Sequence, residues 1–206
     1  MHKRQNIRGV YLLTREHEDG ASLLAGVAAA LHGGVRLVQY RDKSGDHARR
    51  AAQAAQLRQL TQSFAATLII NDDIALAQQV GADGVHLGAH DGDITAARRE
   101  LGDEMLIGAS CYDDLARADR AHAAGADYVA FGAFFTSSTK PEARSADVSL
   151  LTASRALGLP RVAIGGINAH NAPPLLAAGA DAIAVLGAIW DAADRESAAR
   201  TLCQLF

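Results

Sequence analysis

Three side chains spaced two apart open the chemistry of this sequence: Gln39, Arg41 and Lys43, in the stretch VRLVQYRDK. On an extended strand that spacing puts all three on one face. Burying unpaired charge is costly, so such a face is either a solvated strand end or a seat for an anion, and these residues alone leave both readings open. Further polar groups follow at intervals: Asn71-Asp72-Asp73, then HLGAHDGD with His86, His90, Asp91 and Asp93, then Ser110. FFTSSTKP carries Ser137, Ser138, Thr139 and Lys140, and two glycine turns close the set, Gly165-Gly166 and Leu186-Gly187. Only three of the 20 basic residues are lysines, and two of these, Lys43 and Lys140, stand in the polar clusters. A compact, mobile ammonium suits a phosphate.

Singly, most of these residues have a plain structural use. Asp72 or Asp73 can cap a following helix, as can Asp91 or Asp93. His86 reads as a satisfied core histidine and His90 as a solvated loop residue, neither with a catalytic role. In combination they carry more. Asp72 and Asp91 supply hard oxygen ligands of the kind Mg2+ takes when phosphate completes its shell, with Gln39, Arg41, Lys43 and Lys140 as donors around them. The glycine turns offer backbone N–H groups to a second phosphate. Two phosphorylated ligands in one pocket imply joining chemistry with diphosphate as the leaving group. No Ser/His/Asp set, nucleophile elbow or Walker-type loop is present, and no carboxylate base is paired with an acid. A dissociative displacement needs none of these, only charge stabilisation and close positioning.

The elements that must position these groups follow from hydrophobic pattern. Aliphatic runs at 10–14, 35–41, 67–72, 84–88, 105–110, 128–134, 161–165 and 182–186 predict strands. Alanine-rich stretches at 21–31, 46–62, 74–80, 94–101, 113–124, 148–157, 171–178 and 191–205 predict helices. GADGV, GADYV and GADAI recur between a helix and the next strand, where glycine ends the helix in a left-handed turn. Alternating strands and helices imply parallel pairing through right-handed crossovers. The expected fold is therefore a single-domain α/β (β/α)8 TIM barrel with short loops over 1–206, with 1–9 as an N-terminal extension. An open doubly wound sheet is the rival, but no GxGxxG opens the first helix.

Composition narrows the class. The 206 residues are 49% hydrophobic, enough for one full core, and the net charge of −3 argues against nucleic-acid or membrane-surface binding. Cys111 and Cys203 have no metal-ligand spacing, and no signal peptide or membrane span is visible. A cytoplasmic enzyme of small-molecule substrates is expected, its homo-oligomeric state left open.

Taken together, VQYRDK, IINDD, GVHLGxxD, IGAS, FGAFFxSxTKP, AIGGI and GADAIAV resemble the thiamine-phosphate synthase family, in order and over nearly the whole chain. The resemblance implies a transferase on a (β/α)8 barrel. It would join 4-amino-5-hydroxymethyl-2-methylpyrimidine diphosphate to 4-methyl-5-(2-phosphoethyl)thiazole, or its carboxylated form, and release diphosphate through a pyrimidine carbocation. By position it implies that Gln39, Arg41, Lys43, Asn71, Ser110 and Lys140 hold the pyrimidine diphosphate and that Asp72 and Asp91 bind Mg2+. Ser137, Ser138, Thr139, Gly166 and the Leu186-Gly187 backbone would hold the thiazole phosphate. Ala89, His90, Thr136 and Gly187 depart from the usual pattern, without removing a group essential to this chemistry. The related thiazole tautomerase is similar but uses a histidine where Tyr112 stands. A non-catalytic barrel that binds thiamine precursors is the reading from another class.

Overall fold

In a computed structural model of the chain, residues 3–16, 18–89, 91–136 and 146–206 are described. Eight parallel strands close into a barrel in sequence order: β1 (Gly9–Leu13), β2 (Leu37–Tyr40), β3 (Thr67–Asn71), β4 (Gly84–Leu87), β5 (Leu106–Tyr112), β6 (Tyr128–Phe131), β7 (Arg161–Ile164) and β8 (Ala182–Val185). The seam pairs Val10 with Ile183 and Leu12 with Val185. Around it lie α1 (Gly20–His32), α2 (His47–Ser63), α3 (Ile74–Val80), α4 (Ile94–Leu101), α5 (Leu115–Ala123), α6 (Ser149–Ala153), α7 (Pro173–Ala177), α8 (Gly187–Trp190) and α9 (Arg195–Cys203).

Strand alternation divides the core in two. Outward side chains such as Val10, Leu12, Val38, Ile70, Val85, Ile107, Phe131 and Ile183 pack under the helices. Inward ones, including Tyr11, Leu37, Ile69, Leu106, Tyr128, Val162 and Ala184, fill the barrel itself. Ile7, in the segment expected to be an extension, belongs to that inner cluster and is buried.

Several boundaries differ from the sequence expectation, each for a local reason. β2 ends at Tyr40, so Arg41 and Lys43 do not share a strand face with Gln39. Thr14 clasps the chain there: the Arg41 N–H donates to Thr14 Oγ1 at 2.9 Å, and Thr14 Oγ1 donates to Arg41 O at 3.3 Å. The final helix, expected over 191–205, narrows to α9 and starts later, because the Asp194 carboxylate caps it by accepting from Ser197 N at 2.9 Å; α8 lies wholly ahead of that range. β6 stops at Phe131, and a methyl group on Gly132 would meet the Ile164 side chain at 2.7 Å. β5 instead runs on to Tyr112 through an irregularity in its pairing with β6.

The GAD repeats have a shared geometry at the floor of the barrel. Gly81, Gly125 and Gly179 all have positive φ, a backbone that favours glycine. Each following aspartate reaches back to the strand before it. Asp83 accepts from Leu68 N at 2.8 Å, Asp127 from Ile107 N at 2.9 Å and Asp181 from Arg161 N at 2.8 Å. An arginine closes each carboxylate: Arg58, Arg98 and Arg161 respectively.

Candidate active site

The opposite rim, at the carboxyl ends of the strands, gathers the acids. Asp72 has φ 62°, a left-handed backbone rare for a residue with a side chain. That turn separates two adjacent aspartates. Asp73 faces α3, accepts from Leu76 N at 2.9 Å as its N-cap, and pairs with Arg50 at 2.6 Å. Asp72 faces the pocket, accepting from Asn71 Nδ2 at 2.6 Å and Gly88 N at 3.3 Å, with Lys43 Nζ 3.3 Å away. The next pair divides in the same way. Asp93 caps α4 by accepting from Ala96 N at 2.9 Å, and Asp91 turns back toward Gly88. A methyl group on Gly88 would stand 3.3 Å from Asp91 Cγ and 3.9 Å from Asp72 Oδ1, so the two carboxylates converge above this glycine. Lys43, Asn71, Asp72 and Asp91 line one cavity of about 400 Å3.

The pair fits a divalent cation with hard oxygen preferences: two carboxylates face one space with an ammonium beside them. Among the described residues no group of three His, Cys, Asp or Glu side chains converges. Any such ion would therefore share its shell with ligand oxygens or water.

Gln39 and Ser110 lie deeper, inside the barrel. Gln39 Nε2 donates to Tyr11 Oη at 2.8 Å, and Ser110 Oγ is 2.9 Å from His86 Nε2. His86 is buried and partnered at both ring nitrogens, as expected of a core histidine, with Nδ1 3.1 Å from Tyr128 Oη. Burial pushes its pKa down to about 4, which keeps the ring neutral near pH 7. Desolvation likewise raises the Tyr11 and Tyr128 phenols well above their ordinary value. These two tyrosines were missed in the sequence reading. Their signal was a polar group at inward parity in an otherwise aliphatic strand.

Arg41 is bridged to Glu16, a partner the sequence did not suggest. Gly166 has φ 60°, and a side chain there would meet Phe135 O at 2.9 Å. Asn171 Nδ2 donates to Gly166 O at 2.9 Å, fixing the turn after β7. Leu186 and Gly187 begin α8, and a methyl on Gly187 would be 2.7 Å from Asp191 Oδ2, a carboxylate that also pairs with Arg15. Ser137, Ser138, Thr139, Lys140 and His90 lie outside the described residues.

A closed parallel barrel with acids, a lysine and glycine turns at one rim defines a class: a TIM-barrel enzyme with a charged pocket at the carboxyl ends of its strands. A sequence profile described as thiamine monophosphate synthase matches residues 10–189. The thiamine-phosphate synthase of Chromobacterium violaceum is 56% identical over 200 residues, covering 97% of both chains. That of Thiobacillus denitrificans is 58% identical over 199 residues, covering 96% of this chain and 94% of its own. Among solved structures, the thiamine phosphate pyrophosphorylase of Pyrococcus furiosus superposes with a TM-score of 0.87 at 34% identity, over 98% of this chain and 96% of its own. The chain belongs to the thiamine monophosphate synthase family, and its activity is that of a thiamine-phosphate synthase, a transferase of thiamine biosynthesis. No helix among the described residues is long and apolar enough to cross a membrane.

Proposed function

We propose that the substrates are 4-amino-5-hydroxymethyl-2-methylpyrimidine diphosphate and 4-methyl-5-(2-phosphoethyl)thiazole, or its carboxylate, and that Mg2+ is held by Asp72 and Asp91. The observation that carries this reading is the convergence of those two carboxylates above Gly88, with Lys43 and Asn71 in the same cavity. When bound, the ion would neutralise charge on the diphosphate oxygens. Lys43 and Arg41 supply positive charge to the same leaving group, and Asn71 orients it by hydrogen bonding. The bond from the pyrimidine methylene to the diphosphate oxygen breaks, and its electron pair leaves with diphosphate. The thiazole nitrogen then gives its lone pair to the methylene carbon. No proton has to move in that exchange, which accords with a rim rich in fixed charge.

Gln39 and Ser110 face the barrel interior where the pyrimidine ring would enter. Gly166 and the Leu186-Gly187 backbone offer N–H groups to the thiazole phosphate, and Ser137, Ser138, Thr139 and Lys140 keep the roles that the family resemblance gives them. Tyr112, at the position of the tautomerase histidine, is exposed and lies against Arg117, its ring centroid 5.9 Å from the guanidinium. A cytoplasmic location accords with a biosynthetic enzyme of these phosphorylated substrates. The test is diphosphate release. We expect it with both substrates and Mg2+ together and expect a chelator to abolish it; full release in the chelator's presence would overturn the metal assignment.

A further inference from the structure

Five side chains from five strands form one hydrogen-bonded line through the barrel. Gln39 Nε2 donates to Tyr11 Oη at 2.8 Å, and Tyr11 Oη lies 2.9 Å from Tyr128 Oη. Tyr128 Oη lies 3.1 Å from His86 Nδ1, and His86 Nε2 lies 2.9 Å from Ser110 Oγ. Tyr11 and Tyr128 are 1% and 0% exposed, so bulk water does not reach them. The Tyr128 ring stacks on His86 at 5.5 Å and meets Tyr11 edge-on at 6.2 Å. Gly108 leaves room for it: a methyl there would stand 2.5 Å from Tyr128 Cε1.

Such a line has a direction. Each hydroxyl has one proton, and a neutral imidazole has one N–H and one bare nitrogen. Tyr11 receives the Gln39 amide proton, so its own proton has Tyr128 as its partner. Were Tyr128 to donate back, the Tyr11 hydroxyl would be a buried donor without an acceptor, which is costly. Tyr128 therefore donates to His86 Nδ1, the His86 proton sits on Nε2, and Ser110 Oγ accepts it. Ser110 is left with its own proton free for the pocket, and Gln39 with its carbonyl oxygen and its second amide N–H. Reversing one end requires reversing every member between them.

We propose that Tyr11, Tyr128 and His86 are positioning residues that fix the direction of the Ser110 proton and the end of the Gln39 amide turned to Tyr11, so that the barrel reads the amino N–H of the aminopyrimidine with the Gln39 carbonyl and a bare ring nitrogen with the Ser110 hydroxyl. The inference rests on the substrate assignment above for its ligand. The lock itself is a property of the free protein. A pyrimidine with a 4-oxo group presents the inverse pattern, an acceptor at C4 and an N–H in the ring. Its ring N–H meets the Ser110 proton, and its oxo group meets the Gln39 carbonyl oxygen.

Two measurements test this. In the ligand-free protein, 15N NMR of His86 is expected to show a single tautomer with the proton on Nε2. Tyr128→Phe, which keeps the ring and removes the link, is expected to mix the tautomers. A wild-type proton on Nδ1 would overturn the direction. With substrates, the ratio of kcat/KM for the 4-amino and 4-oxo pyrimidine diphosphates is expected to fall about tenfold or more in Tyr128→Phe, while KM for the thiazole phosphate stays unchanged. A merely structural role would lower stability and leave that ratio alone, and an unchanged ratio refutes the lock. Tyr11→Phe, read in the same two ways, decides the question if Tyr128→Phe does not fold. If wild-type protein releases no diphosphate from either pyrimidine, the substrate assignment fails, while the tautomer still confirms or refutes the line.

Discussion

Adjacent aspartates divide their work at this rim, and the division is measurable. Asp93 caps α4 and Asp91 faces the cavity. Asp93→Ala is expected to cost about 1 kcal/mol in folding free energy and to leave diphosphate release intact. Asp91→Ala is expected to do the reverse, raising the Mg2+ concentration needed for half-maximal release at least ~10-fold with little change in thermal midpoint. Titrating Mg2+ against release, beside a melting curve for each variant, checks both. Equal effects of the two substitutions on release would remove the site assignment. For Asp72 and Asp73 the sequence offered the same ambiguity, since either can cap a helix. Only the backbone resolves it, because φ 62° at Asp72 turns its carboxylate toward Gly88 and Lys43, while Asp73, which also borders the cavity, is spent on capping α3. No residue pattern in NDD announces a left-handed turn at its middle member.

At the level of elements, strand parity explains both what was legible and what was not. Gln39, Asn71 and Ser110 were recognisable as strand-end polar groups, and all three occupy inward positions or the rim. Arg41 and Lys43 share their spacing but not their strand, because Thr14 and Asp42 take over the backbone beyond Tyr40: Asp42 accepts from Ser44 N at 2.8 Å and Arg49 Nη2 at 2.8 Å. Side chains from elements distant in sequence cannot be read from local spacing. The Glu16–Arg41 bridge and the tyrosine line are both of that kind. The GAD aspartates belong to the floor, away from the chemistry. Asp127 is the most heavily used, holding Arg4 at 2.9 Å as well as Arg98 and Ile107 N. Asp127→Ala leaves the Ile107 N–H without its acceptor and takes the carboxylate from Arg98, which keeps only the Gly102, Met105 and Gly125 carbonyls. It is expected to cost about 2–3 kcal/mol in urea denaturation while KM for both substrates is unchanged. A shift in KM without loss of stability would contradict this placement.

For the molecule as a whole, the eight-unit barrel was legible because strand and helix signals alternate regularly and the GAD turns mark the period. What the pattern could not show is how the polar groups of the interior pair with one another, and their burial has a pH consequence. His86 is held at about 4 against an ordinary 6.5 by burial. As pH falls below 6.5 the unfolded chain takes up a proton that the folded chain refuses until about 4. The stability present above pH 6.5 is therefore lost progressively through that window, by up to ~3 kcal/mol. Denaturation midpoints between pH 7 and 4.5 check the slope, and a folded-state His86 resonance titrating near 6.5 would contradict it.

Ile7 belongs to a buried cluster drawn from both ends of the chain, Tyr11 and Leu37 from the first two strands and Val162 and Ala182 from the last two. Its niche exists only once the eighth strand has met the first. A ribosome that has released three quarters of this polypeptide thus holds a sheet with two open edges and a hydrophobic residue with nowhere to dock. Loop closure across such a span is slow, so Ile7→Ala is expected chiefly to speed unfolding, the mark of a latch fastened late.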